Sequence, residues 1–113
     1  TAIVCRNGNM KTLDILQQIS EALHKVHGER LKSVILYGSE ARGDSTEDSD
    51  IDVLVLLEDP VRCGEDLETN LEALYPLSLK LGRRISAKPV SATEYRTRDC
   101  PLYRHVKEEG IAA

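Results

Sequence analysis

Tryptophan and phenylalanine are both absent, and four tyrosines make up the whole aromatic complement. A core must therefore be filled by Leu, Ile and Val. No block of Lys and Arg appears, and the net charge is -4, which argues against a general electrostatic hold on nucleic acid. No apolar run approaches the roughly 20 residues of a membrane span. No secretory leader is visible. Three cysteines, Cys5, Cys63 and Cys100, are odd in number and far apart. They match neither a zinc site nor a disulfide framework and read as free thiols in a reducing cytoplasm. The one methionine is Met10, and residues 1–9 before it show no apolar period. They read as a tag or upstream extension, with an extra edge strand over Ala2 to Cys5 as the alternative. Repeats, linkers and low-complexity stretches are also missing. What remains, residues 10–113 with 41% hydrophobic content in the whole chain, fits a single domain with one modest core.

The most informative stretch is residues 34–57. The apolar run Val34 to Tyr37 stops at Gly38 and Ser39, a charged loop follows, and a second run extends from Asp50-Ile51-Asp52 to Leu57. Two buried-type strands around a polar loop are expected, Lys32 to Tyr37 and Asp50 to Leu57. Asp50 and Asp52 lie two residues apart, so in a strand both carboxylates project from one face while Ile51 turns into the core. Adjacent anions repel unless a positive charge sits between them. Magnesium, which takes oxygen ligands from one or two carboxylates plus substrate phosphates, satisfies such a pair. Gly38 permits a sharp turn and a close backbone approach to a ligand. Ser39 to Arg42 can open a short helix toward an anion, and Arg42 brings a bidentate phosphate donor. Together these parts suit a metal–triphosphate site.

Around this stretch, helices and one further strand are expected. Leu13, Leu16, Ile19, Leu23 and Val26 form an apolar stripe over Met10 to His27, ended by Gly28. His24 and His27 read as a solvated pair at its C-terminus. Gly64 to Leu81 is a second helix with Leu67, Leu71, Leu74 and Leu77 or Leu81 on one side, kinked or broken at Pro76. Its exposed leucines would offer a docking face. Arg84 to Ser91 alternates as a third strand, with Pro89 favouring the sheet edge. Ser91-Ala-Thr-Glu94 reads as a capping box, and Pro101 to Glu109 as a last helix ended by Gly110. His105 falls on its exposed face. Periodicity alone thus gives an α/β chain of three strands alternating with helices.

The string Gly38-Ser39-x10-Asp50-x-Asp52 resembles the signature of the DNA polymerase beta-type nucleotidyltransferases. Its fuller form, Gly-Ser-x-Ala-Arg-Gly followed by Ser-Asp-Ile-Asp, is similar to the small minimal nucleotidyltransferases of bacteria, which are about this long. The resemblance implies a small mixed sheet of three to five strands with helices mainly on one face. It implies that Asp50 and Asp52 hold Mg2+, two ions in the active complex, as catalytic residues. Gly38, Ser39, Arg42, Gly43 and Ser49 would bind a nucleoside triphosphate, most simply ATP. The reaction implied passes a nucleotidyl group, AMP, to a hydroxyl. Family enzymes place a third carboxylate on the neighbouring strand, where this chain has Ser86, a poor metal ligand and no base near neutral pH. Glu94 follows a few residues on, where a capping role suits it better than a place at the metal. Two outcomes stay open: slowed transfer, or nucleotide binding without catalysis. Proteins of this group often act as antitoxins beside a helical HEPN toxin, and some modify a toxin tyrosine with AMP. A HEPN-type protein is therefore the implied partner.

Overall fold

A computed structural model describes residues 12–113. The expectations for residues 1–9, for Cys5 and for the helix start at Met10 lie outside the described residues. Along the chain, helix α1 (Thr12–His27) leads through a 3-10 turn (Gly28–Arg30) into strand β1 (Leu31–Tyr37). A four-residue helix α2 (Ser39–Arg42) sits in the loop before β2 (Ile51–Leu57). Helix α3 (Cys63–Leu81) crosses to β3 (Ile85–Ser91), and α4 (Ala92–Thr97), α5 (Pro101–Glu109) and the two-residue β4 (Ile111–Ala112) complete the chain.

The sheet has the order β3-β2-β1-β4. β1 pairs antiparallel with β2 and β4, whereas β2 pairs parallel with β3. Parallel pairing needs a long crossover, and α3 supplies it. Strand alternation divides β2 between two faces. Ile51, Val53, Val55 and Leu57 join Val34, Leu36, Ile85 and Ala87 under α1 and α3, the two long helices. Leu54 and Leu56 join Ile35, Val90, Ala92, Tyr95, Tyr103 and Val106 under the short helices α4 and α5. Coverage on both faces is why β2 is nearly continuously apolar. Full burial of each such side chain stabilises the fold by about 1.5–3 kcal/mol. Helix α5 reaches as far as Tyr37 and Gly38 at the end of β1. At the start of β2 and β3, Ser86 is exposed and Asp52 is half-buried. Pro89 sits on the edge strand, where a missing donor is tolerated.

Several expected helix faces are rotated. In α1 the buried stripe is Ile15, Leu16, Ile19, Leu23 and His27. Leu13 and Val26 lie on its flanks, 64% and 47% exposed. His27 is not a solvated partner of His24: it is buried, with Nε2 2.6 Å from Asn70 Oδ1, and Asn70 Nδ2 donates to the Ala87 carbonyl at 3.0 Å. In α3 the buried positions are Asp66, Asn70, Leu74 and Leu77, while Leu67 and Leu71 face solvent. Counting leucines misplaced this face because two of its inward positions are polar. Asp66 is satisfied by Arg30 Nη1 at 3.2 Å and the Arg62 N–H at 2.9 Å. Pro76 does not break α3, which runs unbroken from Cys63 to Leu81. The carbonyl it leaves unpaired, that of Glu72, is on the exposed side, where water can satisfy it.

Candidate functional site

The site lies where β1 ends and β2 and β3 begin. Gly38 leaves β1 with φ +78° and ψ −156°, which side chains strongly disfavour. A Cβ there would stand 2.8 Å from Asp52 Oδ2. The turn therefore passes so close to the carboxylate that only a glycine fits beside it. Ser39 opens α2, closed by the Arg42 N–H on the Gly38 carbonyl at 3.1 Å. Gly43, at φ +85°, caps α2 in the left-handed region and sends the chain into the loop. Ser49 is bound within that loop: its Oγ accepts from the Thr46 N–H at 2.9 Å, and its carbonyl accepts from Arg83 Nε at 3.0 Å.

Asp50 and Asp52 project at this end of the sheet. Burial first, and then the charge of Asp50, raise the Asp52 carboxyl above the usual carboxylate range, while Arg84 opposes this. Asp50 Oδ2 accepts from Arg84 Nη2 at 3.2 Å. Across the sheet, Asp52 pairs with Tyr37 on one side and Ser86 on the other. Burial, then the Asp52 charge, push the Tyr37 hydroxyl up. Ser86 thus occupies the neighbouring-strand position expected from its register. Glu94 does not: it lies in α4, with its N–H on Ser91 Oγ at 3.1 Å and its carboxylate on Arg98.

The loop is held from below by a buried polar cluster. Glu40 accepts from Thr12 Oγ1 at 2.8 Å, Ser45 Oγ at 2.7 Å and Arg83 Nη2 at 2.7 Å. Burial alone would raise its carboxyl, but these donors, Ser45 first, leave it below the usual range. From above, Glu109 Oε2 accepts from the Gly38 N–H at 3.0 Å and from Arg42 Nη1 at 3.3 Å. Sequence reasoning singled out none of Tyr37, Glu40, Arg83, Arg84 or Glu109. The charge of Glu40 inside the loop motif was the available signal; the others are brought in by topology.

The residues present fit a hard divalent cation carrying phosphate. Asp50 adds its charge to the rise of the Asp52 carboxyl, and a glycine beside Asp52 leaves room that a Cβ would fill. Among the described residues no group of three or more His, Cys, Asp or Glu side chains is arranged to hold a metal. A cation on Asp50 and Asp52 would therefore complete its shell with water or phosphate oxygens.

Comparison with known proteins agrees with this geometry. The Nucleotidyltransferase domain family matches residues 15–112. A protein of Methanocaldococcus jannaschii named "Putative protein adenylyltransferase MJ0604" is 34% identical over 97 residues, covering 84% of this chain and 90% of its own. Among solved structures, a toxin-antitoxin with AMP-PNP superposes with a TM-score of 0.61 at 22% identity, covering 85% of this chain and 69% of that one. Another, described as a "putative minimal nucleotidyltransferase", has a TM-score of 0.53 at 28% identity and covers 90% of this chain and 95% of that one. With Gly38, Asp50 and Asp52 at one sheet edge and the family match spanning almost every described residue, the chain belongs to the nucleotidyltransferase domain family.

Proposed function

We propose that this chain is a magnesium-dependent adenylyltransferase that passes AMP from ATP to a hydroxyl on a partner protein. The observation that carries this reading is the close approach of the Gly38 turn to the Asp52 carboxylate, with no room for a Cβ between them. One ligand can meet the backbone N–H of the turn and a cation on Asp50 and Asp52 together. Mg2+ held there would neutralise phosphate charge in the transition state. Gly38, Ser39 and Arg42 bind the phosphates, and Gly43 and Ser49 shape the loop that presents them. The acceptor oxygen attacks the α-phosphorus, the bond to the bridging oxygen of the β-phosphate breaks, and pyrophosphate leaves. The acceptor proton passes to solvent, because Ser86 offers no base.

A protein acceptor is supported by the surface beside the site. Leu67, Leu71, Tyr75 and Leu79 follow one another every fourth residue along α3 and are 40–63% exposed. A groove of about 460 Å³ runs from Leu71, Tyr75 and Leu79 to Arg84, the residue paired with Asp50. A helical HEPN-type partner docked there would reach the nucleotide. A relative named as a putative protein adenylyltransferase supports a protein acceptor of some kind. A reducing cytoplasm suits the free Cys63 and Cys100. No described helix is long and apolar enough to cross a membrane.

Ser86 opposite Asp52 favours a second reading, a nucleotide-binding antitoxin module with little or no transfer. Incubation with a HEPN-type partner, ATP and magnesium, followed by size exclusion and intact mass, separates the two. Partner mass increased by AMP units establishes transfer; a complex without mass change supports the binding module. Absence of both complex and mass change refutes a partner role.

A further inference from the structure

The donors assigned to the triphosphate already hold an anion belonging to the chain. Glu109, the last residue of α5, places Oε2 3.0 Å from the Gly38 nitrogen and 3.3 Å from Arg42 Nη1. Its other oxygen is 3.3 Å from His105 Nε2, and its side chain is only 17% exposed. Arg42 has a second acid, Asp44 Oδ2, at 3.4 Å. A carboxylate on a backbone N–H and a guanidinium makes the contacts that a phosphate oxygen makes. Two anions cannot share these donors without mutual repulsion.

We propose that Glu109 is a resident competitor of the nucleotide: it closes the phosphate site when no triphosphate is present and swings away when one binds. This rests on the reading that Gly38 and Arg42 bind phosphate. The movement belongs to the side chain and not to the helix. The end of α5 packs closely on β1, since a Cβ on Gly110 would lie 2.6 Å from Ile35 Cγ2. Immediately after it, Ile111 and Ala112 pair with Leu36 and Ile35 of β1. The backbone on both sides of residue 109 is thus anchored to the strand that delivers Gly38. Only χ rotation of Glu109 frees the donors.

The test is calorimetric titration of magnesium tripolyphosphate, which has phosphates but no base or sugar, into the wild type, Glu109→Gln and Glu109→Asp. Magnesium ATP is titrated in parallel. Glu109→Gln removes the charge at constant shape, and Glu109→Asp keeps the charge but withdraws it by one methylene. Both should bind tripolyphosphate more tightly, Glu109→Gln by roughly tenfold, about what one charge-assisted contact contributes. If the wild type binds and both variants bind equally or more weakly, Glu109 supports the turn rather than competing for it, and the proposal is overturned while the nucleotide site stands. Binding by none of the three removes the nucleotide site and this inference together.

Discussion

A methyl group at residue 38 would meet Asp52 Oδ2 at 2.8 Å on a backbone at φ +78°. Gly38→Ala therefore strains the turn and pushes the carboxylate aside. The strain alone should cost about 1–3 kcal/mol, lowering the melting temperature, and ATP binding should vanish in the same protein. Asp52 behaves in the opposite sense. Its carboxyl is raised in the fold, chiefly by burial. The folded state thus prefers it protonated, so its contribution to stability is present below the ordinary carboxylate range and is lost as pH rises through the raised value. Asp52→Asn should melt a few degrees above the wild type at neutral pH, with the two curves converging in acid, and should no longer bind magnesium ATP. Thermal melts from pH 3 to 8 check this; parallel curves would contradict it. Ser86 stands beside Asp52 on β3. If transfer is slow for want of a base, Ser86→Asp should speed it by on the order of 10²-fold, the low end of what a positioned base contributes. Single-turnover AMP transfer measures that.

At the scale of elements, the loop carrying the site is held by the buried pair of Glu40 in α2 and Arg83 before β3, 2.7 Å apart. Removing Arg83 takes the charged partner from Glu40 and leaves it the Ser45 and Thr12 hydroxyls. Arg83→Ala should cost about 1.5–3 kcal/mol in urea unfolding. Glu40 lies below the usual carboxylate range, so its contribution is present above that range and is lost as pH falls through its folded value. Glu40→Gln should consequently flatten the acid limb of stability against pH. This clamp could not be read from the chain, because residue 83 reaches residue 40 only once α3 has crossed to β3. The strands and α5 were legible: a run such as Ile51–Leu57 has no other use for its apolar residues, and Pro101 and Gly110 bracket a helix. The faces of α1 and α3 were not. His27 and Asn70 point inward and bond each other, and Asp66 points inward onto Arg30 and the Arg62 N–H, so apolar periodicity saw a gap where packing has polar positions. β4, two residues long, exists only because β1 offers it an edge. At the candidate site, the nearness of Gly38, Asp50 and Asp52 was legible from spacing, whereas Arg84 and Glu109 come from strand and helix neighbours far along the chain.

At the scale of the molecule, the candidate site lies at one end of the sheet, and an apolar stripe of α3 runs alongside it. Leu71 and Tyr75 on α3 are 50% and 63% exposed and contribute little to the core. Leu71→Ser with Tyr75→Ser should leave the melting temperature within a degree or two while weakening partner capture, read by size exclusion against the wild type. All of this depends on the turn at Gly38 and the pair Asp50 and Asp52 forming one binding site for a nucleotide and a divalent cation. Isothermal titration of ATP in the presence and absence of magnesium, into the wild type, Asp50→Ala and Asp52→Ala, tests that dependence most directly. Saturable, magnesium-dependent binding to the wild type that is lost in both variants is the predicted result. No binding to the wild type, or equal binding by all three, would contradict it.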